Sequence, residues 1–152
     1  MTPEEKLSSM GIELPLAAAP IANYVPAKRA GDLIYVSGQL PSVKGDVAYR
    51  GLVGDAVSLE DARKAARVCA VNVLAAAKST GVRLADIEIL KVEGFVASAP
   101  GFTAQPAVIN GASDLLVEVL GESGRHARFA VGVPALPLGA CVEISAILRV
   151  AR

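Results

Sequence analysis

Arg128 and Glu143 are the residues whose types and spacing suggest chemistry in this chain. They stand in HARFAVGVPALPLGACVEISAILRV, residues 126–150, where two apolar alternating runs are joined by PALPLG. A guanidinium stays charged at physiological pH, so on a half-buried strand Arg128 requires solvent, a protein carboxylate or an anionic ligand. The midpoint between the two positions falls between Ala135 and Leu136, inside the connection. Antiparallel pairing of the runs without a bulge would therefore set Arg128 directly across from Glu143. Two readings follow: a structural cross-strand ion pair, or an anion site, desolvated by a second subunit, in which a ligand carboxylate completes the arginine fork.

The elements that must position these residues follow from periodicity. LIYVSGQLP at 33–41 is β-prone and closed by Gly38 and Pro41, and 44–54, entered through Lys44-Gly45, reads as a second strand forming a hairpin with it. Residues 58–80 have a Ser58 cap, acids in the first turn and Gly81 as a stop, with Ala62, Ala65, Ala66, Cys69, Val73 and Ala76 on one small-residue face. A strand over 87–97 precedes a second helix over 105–120, which has Pro106 in its first turn, Gly121 after its end and Gly111 as an internal weakness. Strands at 126–133 and 141–150 complete a ββαβαββ order of class α+β, a mixed sheet with both helices on one face.

Alternation divides the last two strands into faces. Ala127, Phe129, Val131 and Val133, with Val142, Ile144, Ala146, Leu148 and Val150, are read as the face under the helices. His126, Arg128, Ala130 and Gly132, with Glu143, Ser145, Ile147 and Arg149, form the other. That second face is too apolar for open solvent and too polar for a dry core, which points to cover by another subunit.

Composition bounds the partners. The 152 residues make one domain, residues 1–152, with 1–18 as an N-terminal extension, and 53% of them are hydrophobic, with no Trp, so the core is built from aliphatic side chains. Fifteen basic and fifteen acidic residues cancel, and no basic run offers a local field, which argues against nucleic acid. The N-terminus carries Glu4 and Glu5 instead of a basic region and its apolar run is broken by Pro, so no signal peptide is expected; the longest uncharged stretch, residues 95–113, holds two Pro, two Gly, Gln and Asn, so no membrane span is expected. Cys69 and Cys141 have no metal or redox spacing and read as buried thiols in a reducing, cytoplasmic compartment. His126, the single histidine, reads as a packed or strand-edge residue rather than a general base. There is no Ser/His/Asp set, zinc spacing or phosphate loop, and no metal or cofactor is expected.

ARFAVGVPALPLGACVEI, with YVSGQLP near the start, resembles the Rid family, also called the YjgF family, of reactive-intermediate deaminases. The resemblance runs from about residue 19 to the end. It implies a chorismate mutase-like fold and a homotrimer with three clefts between subunits. It further implies that Arg128 holds the carboxylate of a 2-imino or 2-enamino acid and that Glu143 orients the hydrolytic water. Tyr24, Ser37, Gly38 and Asn110 match pocket positions, Phe95 supplies apolar wall, and Ala130 stands where many members have Cys. ANYVPA in place of the usual Gly-Pro-Tyr-Ser-Gln-Ala marks a divergent branch. The expected function is hydrolytic deamination of small imino acids by positioning water and carboxylate. The alternatives are a non-catalytic trimer binding a small carboxylate and, with less support, an endoribonuclease acting on single-stranded RNA.

Overall fold

A computed structural model describes residues 1–17 and 22–151; the start of the resemblance and the end of the extension, near residues 18 and 19, lie outside them. In chain order the elements are α1 (Pro3–Ser9), β1 (Ala27–Ala30), β2 (Leu33–Gln39), β3 (Ser42–Val43), β4 (Asp46–Val47), α2 (Leu59–Lys78), β5 (Ile87–Ala97), α3 (Gln105–Leu120), β6 (Ala127–Val133) and β7 (Val142–Val150). β1, β2, β7, β5 and β6 form one sheet in that spatial order, and β3 and β4 form a small separate ribbon. The expected α+β class holds, and the five-stranded sheet with its two covering helices keeps a ββαβαββ order, but with β1 in place of the expected 44–54 strand beside β2; α1 and the β3–β4 ribbon are additional.

The first hairpin differs from expectation. β2 pairs with β1, while the 44–54 stretch contributes only Asp46–Val47, paired to Ser42–Val43 around Lys44-Gly45. Positive φ at Tyr49, Gly51 and Gly54 bends that stretch out of any strand. The sequence of β1, AKRA, is short and charged, with no alternation to mark it as a strand.

α2 begins where Ser58 Oγ accepts the Asp61 N–H, and its alanine-rich face is buried as predicted. The small side chains let α3 approach closely. A Cβ at Gly111 would stand 2.1 Å from the Arg63 carbonyl oxygen, so this glycine is the contact point of the two helices and not a weakness in α3. Both helices cover Ile34, Val36, Val92, Val96, Val142, Ile144, Ala146 and Leu148 on one side of the sheet, giving an aliphatic core.

Cys69 and Cys141 are buried and free in this core. Burial pushes the Cys69 thiol up and that of Cys141 to about 11. Since the thiolate is the reactive form, a thiol reagent at pH 8 is expected to modify neither in the native protein and both after denaturation. Rapid native labelling would contradict this packing.

The end of the chain requires two corrections. β6 lies parallel to β5 at the sheet edge, and β7 runs antiparallel between β2 and β5, so β6 and β7 are not neighbours. Arg128 is in register with Val92, and Glu143 with Phe95. Sequence adjacency suggested a hairpin, whereas β5, α3 and β6 form a crossover unit and β7 fills the interior slot. The faces of β6 are also reversed. Arg128, like its register partner Val92, is on the helix side and bonds to α3, whereas Phe129 lies on the open face, edge-on to Phe95 at 5.4 Å with Lys91 over its ring. Alternation separates two faces but does not say which one a helix with polar partners will take. The faces of β7 are as read: Val142, Ile144, Ala146 and Leu148 are buried and Glu143, Ser145 and Ile147 lie opposite them.

Candidate active site

One chain holds two separate groups of the anticipated residues. The first is on the open face. Between Val36 and Gln39 the β2–β7 register shifts, so Ser37 and Gly38 form a bulge opposite Ser145. The bulge brings Gly38 against Glu143: a Cβ there would be 2.8 Å from Glu143 Oε1. Ser37 is fixed by its Oγ donating to the Val25 carbonyl at 2.7 Å and its N–H to that of Pro26 at 2.8 Å. Tyr24, Lys28, Tyr35 and Ser37 line a recess beside it of about 710 Å³. Phe95 supplies an apolar neighbour to Glu143 through the β5–β7 register.

Glu143 is half-buried, and burial raises its pKa above the usual carboxylate value. Loss of hydration disfavours the anion, and a raised pKa brings a carboxylate nearer to that of an effective base at neutral pH. Replacing Gly38 with alanine should displace this carboxylate. Gly38→Ala is expected to lower any Glu143-dependent turnover about 10-fold or more while shifting the melting temperature little, because the end of a flexible side chain is what must move. Unchanged turnover would mean that the contact positions nothing.

The second group is on the helix side, at the β6 edge. Arg128 Nη1 donates to Ser113 Oγ at 3.1 Å and Nη2 to the Pro106 carbonyl at 3.3 Å, both on α3. Asn110, Ser113, His126 and Arg128 line a recess of about 580 Å³ together with Asp114, Glu118 and Arg125. Ala130 is on the same face and packs at the core margin. Gly132 leaves room for α3: a Cβ there would be 2.8 Å from Gln105 Nε2. Ser113 was not anticipated, and nothing in the sequence marked it beyond its helical spacing of three from Asn110.

The cross-strand pair expected from spacing is absent. Arg128 and Glu143 lie on opposite faces, two strands and three residues apart, which corresponds to roughly 14 Å between their Cα atoms at ordinary strand spacings. Among the described residues Arg128 forms no ion pair, and it donates to two neutral oxygens, Ser113 Oγ and the Pro106 carbonyl. No protein carboxylate among the described residues satisfies this guanidinium.

Residues 4–148 match the family described as "YjgF/chorismate_mutase-like, putative endoribonuclease". The chain belongs to the YjgF/chorismate mutase-like family. Among curated family relatives, "Protein TCP17" of Trypanosoma cruzi is 44% identical, covering 94% of this chain and 91% of its own. A "2-iminobutanoate/2-iminopropanoate deaminase" of Dermatophagoides farinae is 30% identical over 90% of this chain and 93% of its own. A crystal structure of an Agrobacterium tumefaciens protein of unknown function is 50% identical, with TM-score 0.92, covering 97% of this chain and 92% of that one. Escherichia coli TdcF with bound serine is 25% identical, with TM-score 0.66, covering 90% and 94%. Among the described residues no helix is long and apolar enough to cross a membrane.

Proposed function

We propose that this YjgF-family chain is a hydrolytic deaminase of small 2-imino or 2-enamino acids, working in the cytoplasm as a homotrimer. The observation that carries this reading is the separation of Arg128 from Glu143. A guanidinium with spare donors and no carboxylate partner among the described residues suits an anionic ligand. A half-buried carboxylate with a raised pKa suits the handling of water. Because a sheet stands between them, one substrate can meet both only if Arg128 comes from one protomer and Glu143 from the next. The half-exposed Tyr35 and Val131 on the open face are consistent with cover by another copy.

In this mechanism Arg128 binds the substrate carboxylate. Asn110 and Ala130 line its side of the cleft, while Tyr24, Ser37, Gly38 and Phe95 of the neighbour form the other wall. Glu143 accepts a proton from water as that water adds to the imine carbon. In the tetrahedral adduct the nitrogen takes up the proton held by Glu143 and the proton of the new hydroxyl, so ammonia departs as that oxygen becomes the carbonyl of the 2-keto acid. The imine is already electrophilic, so positioning and one general base suffice without a covalent intermediate.

The deaminase named among the relatives supports this chemistry. Serine bound to a related structure also favours a second reading, in which the cleft binds small amino or keto acids without turnover. The RNA cleavage in the family's description fits less well, because the cancelling charges offer no steering for a polyanion. The deciding assay generates imino acids with an amino-acid oxidase and follows ammonia release. Faster release with this protein than without it is expected; equal rates alongside measurable keto-acid binding would select the second reading.

A further inference from the structure

We infer that Ser113 and His126 are positioning residues that fix the Arg128 guanidinium for its anionic ligand. This role rests on the reading of Arg128 as a carboxylate site. His126 Nδ1 is 2.6 Å from the Gly124 carbonyl oxygen, and its Nε2 is 2.9 Å from Ser113 Oγ. Ser113 Oγ in turn accepts from Arg128 Nη1 at 3.1 Å.

The polarity of this chain follows from its ends. A carbonyl oxygen only accepts, so Nδ1 carries the proton. In the neutral ring Nε2 is then an acceptor, and the Ser113 hydroxyl must donate to it. The serine lone pairs are thereby turned toward Arg128, an acceptor orientation that a freely rotating hydroxyl would not hold. Gly124, the anchor, is buried, and a Cβ there would be 2.2 Å from the Leu116 carbonyl oxygen, so its backbone is packed against α3. The chain thus runs from a fixed backbone carbonyl to the guanidinium. Of the five N–H donors on Arg128, one is committed to Ser113 and one to the Pro106 carbonyl, and the others remain for a carboxylate.

Holding a long, rotamer-rich side chain before the ligand arrives lowers the ordering cost of binding. Ser113 and His126 therefore act through Arg128, without touching the substrate. His126 is the protein's single histidine, so its imidazole nitrogens give one unambiguous NMR signal set.

The test combines that spectrum with calorimetric binding of 2-oxobutyrate, the keto acid left when 2-iminobutanoate is hydrolysed. The wild type should show the Nδ1–H tautomer at neutral pH. Ser113→Ala and His126→Phe should bind 2-oxobutyrate about 10-fold more weakly, with melting temperatures close to wild type. Ser113→Thr, which keeps the hydroxyl, and His126→Gln, whose amide oxygen can accept from it, should restore most of the affinity, which a purely structural role would not require. An Nε2–H tautomer, or wild-type affinity in Ser113→Ala, would overturn the positioning role. No binding by the wild type itself would overturn the anion reading of Arg128 and this role with it.

Discussion

Arg128→Ala is expected to yield a folded protein whose melting temperature no longer responds to 2-oxobutyrate. Wild type should gain roughly 2.7 kcal/mol at 100-fold excess over its dissociation constant, and the variant almost none. Imine turnover should fall by about 10²-fold or more, the scale set by truncating one partner of a buried charge pair. Arg128→Lys should recover little, because a single ammonium cannot keep Ser113 and the Pro106 carbonyl while also gripping a carboxylate in a fork. A structural ion pair would instead have made Arg128→Ala destabilising by stranding Glu143. The two groups lie on opposite faces of the sheet, so that penalty has no origin within one chain. Equal stabilisation of wild type and Arg128→Ala by the ligand would place the anion elsewhere.

Glu143→Gln should behave differently on both counts. It preserves size and hydrogen bonding, so 2-oxobutyrate binding should survive while turnover drops by about 10²- to 10⁴-fold with loss of the base. Its stability effect has a definite sign. Burial raises the Glu143 pKa above its ordinary value of 4.5, so the folded state holds that proton more tightly than the unfolded state. The stabilisation from this group is complete below the unfolded value and is lost as pH rises through the raised folded value. At neutral pH the carboxylate is therefore a burden that glutamine lacks. Relative to wild type, Glu143→Gln should melt higher at pH 7 than at pH 4. A melting difference independent of pH would show that burial does not perturb this carboxylate.

Local order was legible where the signal was local. Capping by Ser58, the alanine face and Gly81 led to a helix over 58–80, close to the observed Leu59–Lys78, and the strand at 87–97 coincides with Ile87–Ala97. Alternation in β7 correctly separated Val142, Ile144, Ala146 and Leu148 from Glu143, Ser145 and Ile147. α1 carries a local signal of its own in the sequence: Thr2 and Glu5 form a capping box with Pro3 in the first turn. Strand order was not legible, because the short connection after β6 fits a hairpin as well as the observed jump to an interior slot. The orientation of β6 failed for a related reason. Phe129 and Val131 looked like core residues, but at the sheet edge the helix side is taken by Arg128, Ala130 and Gly132, whose contacts with Ser113, Pro106 and Gln105 depend on tertiary packing. The resemblance pointed to Arg128 and Glu143 together; the fold shows that one chain keeps them apart.

That separation permits a direct measurement. Arg128→Ala and Glu143→Gln proteins, each inactive alone, can be unfolded together in equal amounts and refolded into mixed assemblies, and their imine hydrolysis compared with wild type. If each site takes its arginine from one protomer and its glutamate from the next, random assembly leaves both groups intact at about one quarter of the interfaces, and about that share of wild-type turnover should return. If mixed trimers form yet remain as inactive as either parent, Arg128 and Glu143 do not meet across a subunit boundary, and the proposed site is wrong.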